Sequence, residues 1–273
     1  MCGVVGLFHP LDPTLPSEAR LRRMADAIAH RGPDGDGFHV EPHLGFGHRR
    51  LAIVDLAGGA QPMATEDGQV TVTFNGEIYN HLELRAELEK AGHRFRTRSD
   101  TESLLLGWRQ WGVGLLERLN GMFAFALFDR GTGQLLIARD PLGEKPMHLA
   151  WLSDGTLAFG SELAALMALP EIARRIDPAA MEDVLALGYI PDPATIYAGI
   201  RRLPAAHFLM LKRGDAARPE PRRYWSPPTR PQAAPAEADF VLAIGKETTQ
   251  ETVAEFLPAL RVALARGLPM VCA

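Results

Sequence analysis

Cys2-Gly3-Val4-Val5-Gly6-Leu7-Phe8 opens the chain with a thiol followed at once by an apolar run. The run reads as a strand that starts at the terminus, and a buried first strand holds that terminus still. Removal of Met1 would leave a thiol and a free α-amine on one residue. The amine, with a reference pKa of roughly 7.7–8.0, accepts a proton near neutrality, and the thiol attacks as thiolate. A nucleophile activated by the terminal amine is an established chemical solution. A cysteine near a chain start is also a common accident, so the remaining sequence has to decide.

The 273 residues are 47% hydrophobic, enough to bury a full core in one or two domains. The net charge of −4 mixes both signs and offers no electrostatic footprint for nucleic acid. No apolar run is long enough to span a bilayer, and the first residues lack a signal-peptide layout. Two cysteines, Cys2 and Cys272, make no secreted disulfide framework. A soluble cytoplasmic protein is expected.

Outward from the first run, short strand patterns alternate with a few amphipathic helices. Strands are expected at Val4–Phe8, Gly45–Val54, Val70–Phe74, Met122–Phe128, Leu135–Ala138, Met147–Leu152, Leu157–Phe159 and Phe208–Leu211. Asp67-Gly68, Asp129-Arg130-Gly131 and Asp154-Gly155 supply turns between them. Helices fit Glu18–His30, His81–Ala91, a segment from about Asp100 carrying Leu104, Leu105, Trp108 and Trp111, and Pro178–Leu187. Grouped hairpin strands with helices inserted between the groups indicate an α+β fold with antiparallel sheets. A first domain is expected over 1–212 and a Pro/Ala-rich linker over 213–238. Residues 239–273 read as one strand–helix–strand unit, Phe240–Ile244, Glu251–Arg266 and Leu268–Cys272. A lone βαβ unit leaves sheet surface uncovered, so this tail reads as incomplete.

Four segments carry chemistry. Asn75-Gly76-Glu77 follows a strand, where an amide side chain and a backbone N–H can both face a developing oxyanion; an ordinary Asn-Gly turn is the simpler reading. In His48-Arg49-Arg50-Leu51 strand alternation turns one arginine toward a cleft, where its fork can bind a carboxylate. Ser99-Asp100-Thr101-Glu102 fits a capping box and leaves Asp100 available for an ammonium group. His30-Arg31-Gly32-Pro33-Asp34-Gly35 is rich in turn residues and reads as a lid.

Taken together and in order, these segments, with Met1-Cys2-Gly3-Val4-Val5-Gly6, Ala52-Ile53-Val54-Asp55, Ile78-Tyr79-Asn80 and Arg139-Asp140-Pro141-Leu142-Gly143, resemble the class II glutamine amidotransferases. The wording is similar to the glutaminase domain of glutamine-hydrolysing asparagine synthetases, through Tyr224-Trp225. That resemblance implies a four-layer α/β/β/α sandwich of the N-terminal-nucleophile hydrolase type. It implies Cys2 as nucleophile with its own amine as base, and Asn75 and Gly76 as oxyanion donors. It further implies Arg50 on the substrate α-carboxylate, Asp100 on its α-ammonium, and Glu77, Ile53 and Val54 lining the pocket. Arg31 and Asp34 are expected to order a lid.

L-Glutamine is the implied substrate. No metal or cofactor is implied for its hydrolysis. ATP and Mg enter only with a separately supplied synthetase domain, and the implied protein partner is such a domain in trans or a second copy. The relatives' Ser-Gly-Gly-x-Asp-Ser loop after the Tyr-Trp pair is missing here, the one Gly-Gly being Gly58-Gly59. ATP-dependent asparagine formation by this chain alone is therefore not expected. The tail at Phe240–Gly245 and Ala259–Ala273, above all Ala263–Ala273, resembles a fragment of haloacid-dehalogenase-like proteins without their Asp-x-Asp motif, so no phosphatase activity is expected. A catalytically idle binding module is the competing expectation.

Overall fold

Twelve strands and five α-helices follow one another through the computed structural model, which describes residues 1–14, 16–52, 55 and 58–227. In chain order they are β1 (Gly3–Phe8), α1 (Glu18–Asp26), β2 (Gly35–Glu41), β3 (Leu44–Arg50), β4 (Met63–Ala64), β5 (Val70–Ile78), α2 (His81–Lys90) and α3 (Thr101–Trp111). There follow β6 (Gly121–Asp129), β7 (Gln134–Arg139), β8 (His148–Trp151), β9 (Leu157–Gly160), α4 (Leu163–Met167), α5 (Pro178–Leu187), β10 (Ile200–Arg202), β11 (His207–Lys212) and β12 (Arg222–Arg223). All belong to one unit, Met1–Ser226.

The strands form two six-stranded sheets, β10-β8-β9-β1-β3-β2 and β12-β11-β7-β6-β5-β4. Every named pairing is antiparallel. Side-chain alternation sorts each strand between two cores. Val4 and Phe8 of β1 point between the sheets, where they meet Phe46, Ala126, Phe128 and Ile137. Val5 and Leu7, from the other face, pack on Leu21 and Met24 of α1 and Leu166 of α4. Phe123, Phe125 and Leu127 of β6 pack outward against Leu84 of α2 and Leu104, Leu105 and Trp108 of α3. The layers therefore run α/β/β/α, as the resemblance implied. Near-continuous apolar runs usually mark parallel strands covered on both sides. Here the same pattern arises because two antiparallel sheets are each covered twice. Each fully buried Phe or Leu contributes about 1.5–3 kcal/mol.

Several boundaries differ from the sequence reading. Helix α1 stops at Asp26, and Ala29–Arg31 forms a separate 3-10 turn that buries Arg31. Strand β3 ends at Arg50 rather than reaching Val54, and Ile53 and Val54 lie outside the described residues. Asn75-Gly76-Glu77 is not a turn after a strand: it is paired along β5 with Ala124, Phe123 and Met122. The capping box does not form. Glu102 accepts instead from the N–H groups of Arg96, at 2.9 Å, and Thr97, at 2.7 Å. Residues 213–226, expected within the linker, are tied to the domain. Gly214 N–H donates to Pro10 O at 2.9 Å, and Tyr224 Oη donates to Arg139 O at 2.8 Å. The expected tail, 239–273 with Cys272, lies outside the described residues.

Candidate active site

Cys2 precedes a central strand of the first sheet, and Gly3 pairs with Arg49 on β3. The thiol is half-buried. Cys2 Sγ accepts from Leu51 N–H at 3.4 Å and lies 3.5 Å from Leu51 O. Arg31 Nε donates to Cys2 O at 2.9 Å while its Nη1 pairs with Glu162 at 2.7 Å. Burial pushes the Cys2 thiol up, opposed by the Leu51 hydrogen bond, the N-terminal charge, Arg50 and Arg31.

Alternation along β3 separates its two arginines. Arg49 turns to α1, donating to Ala25 O at 3.1 Å and pairing with Asp26. Arg50 points the other way, into the cleft, and its Nη2 donates to Asp55 O at 2.9 Å. From the second sheet comes Asn75, 1% exposed, whose Nδ2 has no hydrogen-bond partner among the described residues. Beside it β6 crosses so closely that a Cβ on Gly76 would lie 2.1 Å from Met122 O. Glycine is needed there for space. Asp100 stands just before α3 and is 6% exposed. Its Oδ2 accepts from Ile78 N–H at 3.0 Å, and burial, with nearby Glu77, holds its carboxyl above the ordinary range.

One cavity of about 150 Å3 is lined by Cys2, Arg50, Asn75, Gly76, Glu77 and Asp100 together. It combines a thiol, an unpartnered amide donor, a guanidinium and a carboxylate. That set suits a small zwitterion whose neutral amide meets the sulfur. The lid reading of residues 30–35 does not hold. Arg31 is buried, and Asp34 Oδ2 accepts from Ala52 N–H at 2.8 Å, so this loop braces Cys2 and the end of β3 from below. Gly32 has no room for a side chain, a Cβ there falling 2.2 Å from Arg49 C.

Among the further lining residues that the sequence reading did not assign to the site are Gln61, Met122 and Lys145. Gln61 Oε1 accepts from Phe74 N–H at 2.6 Å, steadying the strand before Asn75. Lys145 follows the Arg139-Asp140 motif, in which Asp140 accepts from four backbone N–H groups, and that motif was the available signal. Among the described residues no helix is long and apolar enough to cross a membrane.

Residues 1–225 match the family described as glutamine amidotransferase domain. Asparagine synthetase [glutamine-hydrolyzing] 1 of Bacillus subtilis is 40% identical over 218 residues, covering 79% of this chain and 34% of that protein. Asparagine synthetase [glutamine-hydrolyzing] 3 of the same organism is 39% identical over 230 residues, covering 83% and 37%. The chain thus spans about a third of the length of these relatives. A solved structure titled as the allosteric regulatory enzyme of purine biosynthesis superposes with a TM-score of 0.55 at 20% identity, covering 77% of this chain and 47% of the other. Glutamine phosphoribosylpyrophosphate (PRPP) amidotransferase from B. subtilis gives 0.54, also at 20% identity and with the same coverage. Those two likenesses concern the fold. With the sandwich and the cleft at Cys2 in place, the match over residues 1–225 makes this chain a member of the glutamine amidotransferase domain family.

Proposed function

We propose that the chain hydrolyses L-glutamine at Cys2 and delivers ammonia for amide synthesis. The supporting observation is the single cavity in which Cys2 meets Asn75, Gly76, Arg50 and Asp100. In this reading Met1 is removed and the Cys2 α-amine is free. Arg50 holds the α-carboxylate of glutamine and Asp100 its α-ammonium, which fixes the side-chain amide against the sulfur.

The amine takes the thiol proton as Sγ forms a bond to the carboxamide carbon. Negative charge moves to the amide oxygen, which meets the Asn75 side-chain amide and the Gly76 N–H. The carbon–nitrogen bond breaks as the amine passes its proton to the departing nitrogen, releasing ammonia and leaving a γ-glutamyl thioester. Water then attacks the thioester carbon, giving one proton to the amine, and the Cys2 thiolate leaves and recovers it. A cysteine thiol with an ordinary pKa of about 8.5 is mostly protonated at neutral pH, so this proton acceptor is needed. Glu77 closes the cavity beside Gly76; Ile53 and Val54, outside the described residues, complete the proposed pocket wall.

The relatives' names point to asparagine as the amide made, with aspartate as acceptor in a synthetase domain supplied in trans or by an assembly with a second copy. A cytoplasmic setting fits that supply. The test is ammonia release from L-glutamine by the purified chain, with intact mass to establish loss of Met1. Release that disappears in Cys2→Ala supports the reading. No release from a chain with a free Cys2 terminus contradicts it and favours a binding module.

A further inference from the structure

Lys145 lines the same cavity as Cys2 yet has no part in the mechanism above. It is 7% exposed, an uncommon burial for a lysine. Its backbone is held on both sides: its N–H donates to Asp140 Oδ2 at 2.9 Å, and its carbonyl accepts from Arg139 Nε at 2.9 Å. The side chain ends on Met1, with Nζ 3.4 Å from Sδ. Among the described residues no carboxylate pairs with this ammonium.

One shared acceptor places its backbone beside the cavity. Asp140 Oδ2 also accepts from Phe123 N–H at 3.2 Å, and Phe123 is the cross-strand partner of Gly76. A single carboxylate oxygen thus ties Lys145 to the strand behind the Asn75-Gly76 corner. Arg50 belongs to the opposite sheet and is anchored on Asp55. Glutamine carries one anionic group, its α-carboxylate, and Arg50 accounts for it. Negative charge arises elsewhere on the ligand only at the reacting carboxamide oxygen, and afterwards on the γ-carboxylate of glutamate.

Building on the glutaminase reading, we infer that Lys145, uncovered by loss of Met1, is a third donor to the reacting oxygen beside Asn75 and Gly76. The same ammonium holds the γ-carboxylate of product glutamate until it leaves. A charged donor in a site screened from water acts most strongly where charge develops, so its effect falls on kcat rather than on substrate binding.

The experiment uses the full chain freed of Met1, with Lys145→Met and Lys145→Arg. Glutamine turnover is measured beside calorimetric binding of L-glutamate, which is not consumed. Lys145→Met is expected to lower kcat about 10²-fold with the KM for glutamine nearly unchanged. It is expected to weaken glutamate binding about tenfold, and Lys145→Arg to restore most of both. Unchanged kcat and glutamate affinity overturn the inference, as does an equal loss of glutamine and glutamate binding that arginine fails to rescue. If Lys145→Met does not fold, Lys145→Gln takes its place in both measurements. A parent chain that releases no ammonia defeats the glutaminase reading by itself. Glutamate affinity across the variants then still decides whether Lys145 meets a γ-carboxylate.

Discussion

Two buried aspartates, Asp140 in the turn after β7 and Asp100 before α3, show how one residue type does two kinds of work. Asp140 is fully buried and accepts from the N–H groups of Phe123, Leu142, Glu144 and Lys145. Its oxygens are saturated by the protein. Asp100 borders the cavity, and its Oδ2 accepts from Ile78 N–H at 3.0 Å. It keeps acceptor capacity that no hydrogen bond among the described residues uses, and burial holds its carboxyl above the ordinary range. A saturated carboxylate organises a turn; an unsaturated one at a cavity wall is prepared for a cation.

The hardest way to break this contrast is Asp140→Ala. Four N–H donors lose their acceptor, and the expected destabilisation is about 4 kcal/mol or more. In a domain of this size that lowers the thermal midpoint by roughly 8–16 °C, and denaturant unfolding checks it. Glutamine turnover falls as well, since the same carboxylate places Phe123 and Lys145. Asp100→Asn should leave stability within about 1 kcal/mol. Equal destabilisation by the two variants would dissolve the contrast.

Asn75 belongs with Asp100, because its buried Nδ2 also has no partner among the described residues. Asn75→Ala is expected to cost about 10²–10³ in kcat with stability nearly unchanged. A large loss of stability would instead class Asn75 with Asp140. For Asp100→Asn the expected signature is a rise in KM of roughly 10–10²-fold, with a smaller change in kcat, from loss of one charge-assisted contact.

The smallest effects lie in pH dependence. Below its raised pKa Asp100 is protonated, so the KM for glutamine rises as the solution is acidified through that value. Stability moves oppositely. Between the unfolded carboxyl's pKa and the raised folded one, the folded state binds more protons, so stability falls as pH rises through that window. Asp100→Asn should remove this slope. His48 gives the reverse slope, since burial depresses its pKa to about 3. The folded imidazole stays neutral while the unfolded one protonates from about pH 6.5, so stability is lost as pH falls between these values. Urea midpoints across pH check both signs.

Much of the fold was readable because the central strands and the helix faces announce themselves by apolar pattern. β1, β6, β7, β9 and β11 fall where the sequence places them, while β5 starts at the expected Val70 but runs four residues further, to Ile78. β2 was missed: Gly35-Asp36-Gly37-Phe38-His39-Val40-Glu41 has little β-propensity and becomes a strand by pairing with β3. Glu102 misled because a capping box predicts a contact three residues back, whereas its carboxylate reaches the N–H groups of Arg96 and Thr97. Cys2, Arg50, Asn75, Gly76 and Asp100 were legible through family wording, and alternation explains why Arg50 rather than Arg49 enters the cavity. Gln61 reaches it through long-range folding, which local spacing does not encode, and Lys145 was signalled only by the Arg139-Asp140 motif before it.

The most direct test of a working thiol at this cleft is mass spectrometry of the Met1-free chain, acid-quenched during turnover of L-glutamine. The expected result is a γ-glutamyl adduct on the peptide carrying Cys2, absent when Cys2 is alanine or Met1 is retained. Ammonia release that continues in Cys2→Ala, with no adduct on Cys2 in the parent, would contradict it.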